Sequence, residues 1–301
     1  MSIRVEKDLA LSLVRQLAPD YLEFFRDIQK PDGWRTFSMR VGETRNKLKL
    51  DSYVILYGND VWILNALALA LLGEQGAKEL NAELETPSPD EQQNFLDELT
   101  NDAINNGDDW VDEIFPDSPA KQEVQLAKFQ ALSDEEKAAS VNRAQHLFAF
   151  VFANFYNCIS VMVHGKKLTS LVPKAIAGDR VAFGKAIHID KSLLHAHPDF
   201  RAIHELAQSN QDQERDFLRN IGNNLQASPT KGRINYPGAY MVFAMLESLG
   251  WLNGLSHEEI LNVCDEAGLD RWESRIEDVN YLTKRLGAYR RMQKMGGLSM
   301  R

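Results

Sequence analysis

Four histidines, His188, His195, His197 and His204, fall within seventeen residues of one another, with Asp190 and Glu205 beside them. Imidazole is the commonest metal ligand, and a His-x-His step in extended backbone can bring two ring nitrogens to one ion. Such a set would serve a metal-dependent enzyme, with His188, Asp190, His195, His197 and His204 as candidate ligands. Local pattern pulls the other way. His195 and His197 straddle a helix end before Pro198, and within a helix residues i and i+2 face apart. Neither a spaced Cys pair nor a His-Glu-x-x-His accompanies them. Helix-end and surface histidines account for the same residues.

A second concentration of ligating groups is acidic. Asp108-Asp109-Trp110-Val111-Asp112 has the Asp-Asp-x-x-Asp spacing that puts carboxylates on one helix face to hold magnesium against a diphosphate. These five residues resemble the aspartate-rich motif of prenyl-diphosphate enzymes, a family that is also all-helical; no second aspartate-rich motif accompanies them. Asp102, Asn106, Gly107 and Glu113 fall on positions 1, 5, 6 and 12 of a calcium loop, but Ile104 stands where a ligand belongs and Pro116 leaves little room for an exit helix. A solvated acidic stretch explains 102–113 equally well. Gly165-Lys166-Lys167-Leu168-Thr169 lacks the upstream glycine and preceding strand of a phosphate loop, and there is neither a G-x-G-x-x-G nor a G-x-S-x-G. No cofactor is expected.

The third candidate is electrostatic. Net charge is −9, yet residues 1–135 carry 13 Lys/Arg against 26 Asp/Glu, while 136–301 carry 21 against 17. The last twenty residues hold Lys284, Arg285, Arg290, Arg291, Lys294 and Arg301 and no acid. Three helices are expected here, at about 238–249, 256–266 and 270–292, from caps at Ser256 and Gly268 and from apolar spacing. Together they outline a helix-turn-helix whose basic end could meet nucleic acid, with Tyr281 and Tyr289 beside the cations. Glu273, Glu277 and Asp278 would oppose this in the leading half of the last helix.

These groups must be positioned by a scaffold, and its centre is legible. Ser133 followed by Asp134, Glu135 and Glu136 has the chemistry of a helix start. From Leu147 to Val163 seventeen residues pass without a charge, and His164-Gly165 supplies a stop. A helix apolar on nearly every side must be wrapped by others, with Phe150 and Phe155 buried. Asn154, Asn157 and Ser160 form one polar stripe on it, able to bond neighbouring helices or line a pocket. At seventeen residues the run falls short of a comfortable bilayer span, and Asp60, Gly58, Asn59 and Asn65 interrupt the other apolar stretch, 52–72.

Upstream, residues 3–28 read as two helices separated by Pro19. Alternation of Phe37, Met39 and Val41, then Leu48 and Leu50, predicts a small hairpin near 35–57, with 53–57 either strand or helix. Prolines bracket an acidic excursion at 86–119, expected to be mobile. Downstream of the core helix come short helices punctuated by Gly178-Asp179, Asp190, Pro198 and Ser228-Pro229.

The reading is therefore a mainly α, multi-helix bundle around a central apolar helix (133–165), with at most that hairpin. Three stretches are expected: 1–120, acidic, with the mobile 86–119 segment; 121–227, the central helical body; and 233–301, a trihelical unit with a basic tail. Two isolated cysteines, Cys158 and Cys264, and an amino terminus without the uncharged core of a signal peptide predict a cytoplasmic protein with free thiols, outside any membrane. The leading expectation is a non-enzymatic helical interaction protein with a protein partner. It could contact nucleic acid through Lys284, Arg285, Arg290, Arg291 and Lys294; the alternative is the metal-dependent enzyme at His188–His204.

Overall fold

A computed structural model describes residues 7–47, 53–58, 63, 66, 67, 127, 130–229, 236–268 and 278–297. Among these there are eleven α-helices, one 3-10 turn and no strand, so the chain is mainly α. In order they are α1 (Lys7–Gln29), α2 (Gly33–Lys47), the 3-10 turn (Tyr53–Gly58), α3 (Asp134–His164), α4 (Leu168–Ile176), α5 (Arg180–Ile189), α6 (Leu193–Ala196), α7 (Pro198–Ser209), α8 (Arg215–Gln226), α9 (Pro237–Ser248), α10 (His257–Glu266) and α11 (Val279–Lys294).

α3 is the central helix. Ser133 Oγ accepts from the Glu136 N–H while the Glu136 carboxylate accepts from the Ser133 N–H at 2.8 Å, so two otherwise orphaned donors are satisfied reciprocally. Gly165 ends the helix in the left-handed region (φ 67°), its N–H returning to the Val161 carbonyl at 2.8 Å. Between Leu147 and His164 every residue but Phe148 and Phe152 is buried, Phe150 and Phe155 almost completely. Each such ring contributes about 1.5–3 kcal/mol through apolar burial. α1, α4, α5, α9, α11 and the 3-10 turn all pack on α3 or on its immediate neighbours. Among the described residues α3 alone is long and apolar enough to cross a bilayer, and 83% of its most apolar window is buried inside the protein, as in a core helix.

The polar stripe of α3 joins helices. Ser248 Oγ donates to Asn154 Oδ1 at 2.8 Å, Asn157 Nδ2 donates to Ser248 Oγ at 3.3 Å, and the Thr169 N–H reaches Asn157 Oδ1 at 3.4 Å. Ser160 Oγ donates to the Lys166 carbonyl at 2.6 Å. α9, α3 and the start of α4 are thereby fixed in register, which apolar packing alone would leave looser.

Two expectations upstream are corrected. The residues meant for the first strand of a hairpin are helical: α2 places Trp34, Phe37 and Val41 on one buried face and leaves Met39 58% exposed. Spacings of three and four satisfied the same apolar residues that alternation did, and an aromatic floor on α1 and α3 decided between them. Phe37 packs on Phe24, Phe155 and Tyr156 at 5.4–6.0 Å, and Trp34 meets Tyr156 edge-on at 6.0 Å. Residues 48–52 lie outside the described residues, and 53–58 form the 3-10 turn. Pro19, expected between two helices, sits inside the single 23-residue α1. Its lost N–H and ring clash cost about 3 kcal/mol. Burial of Leu13, Leu17, Tyr21, Leu22 and Phe25 on the same face, and the Tyr21 hydroxyl bonded to the Val151 carbonyl at 2.8 Å, outweigh it.

Helices from all three expected stretches share one apolar cluster: α1 packs on α9 and α10, and α9 packs on α3. The acidic segment 86–119, with the 102–113 ligand candidates, lies outside the described residues. At the other end the chain closes back on the centre. A Cβ at Gly297 would lie 2.3 Å from the Val163 carbonyl oxygen and one at Gly165 would lie 2.7 Å from the Gln293 carbonyl oxygen, so the end of α11 docks glycine-to-backbone on the end of α3. Both glycines have positive φ, which makes them doubly suited to the contact.

Candidate functional site

The basic end is built on α11. Asp278 is not part of this helix: its backbone is extended, and its carboxylate accepts from the Tyr281 N–H at 2.8 Å, starting the helix at Val279. Residues 269–277 lie outside the described residues. α11 therefore contains no acid between its cap and its end. Leu282, Leu286, Tyr289 and Met292 form its buried stripe. The Tyr289 hydroxyl donates to Glu247 at 2.6 Å, and burial together with that neighbouring carboxylate raises its pKa well above the ordinary value.

The five expected contact residues divide into two groups. Arg285 is half-buried and stacks its guanidinium over the Tyr236 ring, 3.0 Å from the centroid. Arg290 donates to Asn253 Oδ1 at 3.0 Å. Both bind the protein to itself. Lys284, Arg291 and Lys294 are exposed, and none pairs with a carboxylate among the described residues. Tyr281, half exposed, lies one turn before Lys284 with the ammonium 5.4 Å from its ring centroid. Tyr281, Lys284 and Arg291 are exposed and spaced i, i+3, i+10, so one outward face carries an aromatic ring followed by cations.

The histidines do not assemble. His188 is buried in α5 with its Nδ1 3.1 Å from Nε2 of His164, at the end of α3. Asp190 is 2% exposed and is held by the Tyr57 hydroxyl at 3.0 Å and by the Ser192 N–H and hydroxyl at 2.9 and 2.5 Å. His197 joins α6 to α7, its ring edge-on to Phe200 and its Nδ1 3.9 Å from Asp199. His195 is exposed, and after loss of water it is the next cause that lowers the pKa of nearby His204. No group of three His, Cys, Asp or Glu side chains among the described residues could hold a metal ion.

Burial drives the electrostatics of these rings. His164 is pushed down to about 3 by loss of water and then by His188 and Lys185; His188 is pushed down to about 4 by loss of water and then by Lys191. His197 and His204 are lowered for the same first reason. All four are neutral at neutral pH. Both free thiols, Cys158 and Cys264, are buried, and burial raises the Cys158 pKa far enough to keep that thiol protonated and inert.

Sequence reasoning did not foresee the His164–His188 contact or a cleft of about 760 Å³ between the α1–α2 corner and the end of α8. His164 sits on the last turn of an apolar helix, a place where a satisfied core histidine is commonplace, and the cleft draws on residues nearly two hundred positions apart. Comparison of the chain with models of protein families, with curated proteins and with solved structures gives no match in any of the three.

Proposed function

We propose that this chain is a non-enzymatic helical interaction protein that contacts single-stranded nucleic acid through the outer face of α11. One observation carries the reading: Tyr281, Lys284 and Arg291 share an exposed face of a helix without acids, Lys294 is exposed one turn further on, and Arg285 and Arg290 are occupied internally. An exposed ring flanked by cations is what a strand needs, since bases stack on aromatic faces and phosphates follow positive charge. The enzyme alternative at His188–His204 has no converging ligand set to support it.

Fluorescence anisotropy with single-stranded DNA and RNA at low salt tests the proposal. Replacing Lys284, Arg291 and Lys294 by Ala should weaken binding and lower the log–log salt slope by about 2, because each phosphate contact on a single strand contributes about 0.7. Tyr281→Ala should weaken binding by about 1–3 kcal/mol without changing that slope, because it removes stacking and no charge. Wild-type protein that ignores both nucleic acids at low salt overturns the proposal.

A further inference from the structure

We propose that the His164–His188 contact is an acid-operated latch at the junction of α3, α5 and the end of α11, closed while both rings are neutral and opened when they are protonated. His164 is the last residue of α3, and His188 is the next to last of α5. Both rings are buried, with His164 Nε2 and His188 Nδ1 3.1 Å apart. At that separation one nitrogen donates and the other accepts, which requires neutral rings of matched tautomer. Once both rings are protonated, two donors face each other and the bond becomes a repulsion between buried cations. The charges that act on the pair are themselves positive: Lys185, on α5, against His164, and Lys191, just after α5, against His188. α11 brings two further cations in its last turn, Arg291 and Lys294. Carboxylates on the neighbouring elements are committed elsewhere, Asp190 to Tyr57 and Ser192, and Glu247 of α9 to Tyr289 and Gln293. The Ser228 backbone favours the charged form of His188, and the dipole of α3 favours that of His164. Loss of water is nevertheless the first cause at both rings, and it opposes the charge.

The latch reaches α11 through the backbone of His164 itself. A Cβ at Gly297 would lie 2.6 Å from the His164 nitrogen, so the chain just past α11 rests directly on the residue that titrates. Gly297 is buried there but has no side chain, and Lys294 and Met295 beside it are exposed. Close fit rather than apolar burial holds this end, so a shift of the last turn of α3 that parts two charged rings also removes its support. Leu282, Leu286 and Tyr289 keep the rest of α11 buried, which confines the opening to the junction.

Native-state hydrogen exchange of the full chain at pH 7.5 and 5.5, corrected for the intrinsic pH dependence of exchange, tests the latch. Rings that titrate at about 6.5 when open, and at about 3 and about 4 when closed, favour opening by roughly tenfold each at pH 5.5. The opening constant of residues 292–297 should therefore rise roughly 100-fold, while α9 remains the better protected. His164→Gln/His188→Gln should abolish the rise, and either single variant should cut it to roughly tenfold, so a folded single variant decides the matter if the double variant does not fold. An unchanged opening constant at 292–297, or a rise undiminished in the variants, overturns the proposal. So does a rise that brings 292–297 only to the opening constant of α9, because that is global unfolding and not a latch.

Discussion

Lowering the pH from about 7 to about 4.5 offers protons to two imidazoles that the fold keeps neutral. His164 and His188 touch at 3.1 Å and are 4% and 9% exposed. Their native pKa values of about 3 and about 4 lie below the 6.5 of an unfolded histidine. Between about pH 6.5 and 4 the unfolded chain therefore takes up protons that the native chain refuses, and stability falls as pH falls. Above about pH 6.5 both states are neutral and the pair adds no slope. At about pH 4.5 linkage makes each histidine worth about 2.5 kcal/mol of lost stability, so the pair approaches roughly 5 kcal/mol. That is comparable with the whole stability of many domains, roughly 5–15 kcal/mol.

Asp20 works in the opposite sense. Burial and then Glu23 raise its pKa to about 6, so acidification relieves a penalty there. A comparison between proteins removes this contribution. Urea unfolding followed by tryptophan fluorescence at both pH values should show a loss in the wild type that exceeds the loss in His164→Gln/His188→Gln by roughly 5 kcal/mol. Glutamine keeps a hydrogen-bonding amide at each position but cannot titrate, so only the difference between the two pH values is read. Parallel pH dependence in the two proteins would refute the reasoning.

The Asn stripe and the C-terminal cations make sharper, smaller predictions. Ser248→Ala removes the hydroxyl shared by Asn154 and Asn157; it should cost about 1–3 kcal/mol in urea unfolding, and an unchanged midpoint would mean the stripe does not bond α3 to α9. Arg285→Ala should lower stability by about 0.5–2 kcal/mol through loss of its stack on Tyr236. Lys284→Ala, on the exposed face, should stay within about 0.5 kcal/mol of wild type, and equal losses in the two would contradict the division of the cations.

Local chemistry was enough to locate the central helix, both its ends and the caps at Ser133 and Ser256, because a capping side chain acts within three residues of itself and leaves a short-range pattern. The polar function of Asn154, Asn157 and Ser160 was legible for the same reason: spacing alone puts them on one face of a buried helix. Tertiary structure decided α2, whose apolar residues fit a strand and a helix equally until Phe24, Phe155 and Tyr156 presented a surface that only the helical arrangement covers. It also overrode Pro19, since one lost backbone bond is small beside a whole buried face. The C-terminal cations were all visible in the sequence as charge, but charge does not say which way a side chain points. Packing of Leu282, Leu286 and Tyr289 fixed the rotation of α11, turning Arg285 inward to Tyr236 and leaving Lys284 and Arg291 outside. The His164–His188 pair and the cleft at Trp34, Arg35 and Lys191 join residues from distant helices. No local spacing could encode them, because such contacts exist only once the chain has closed.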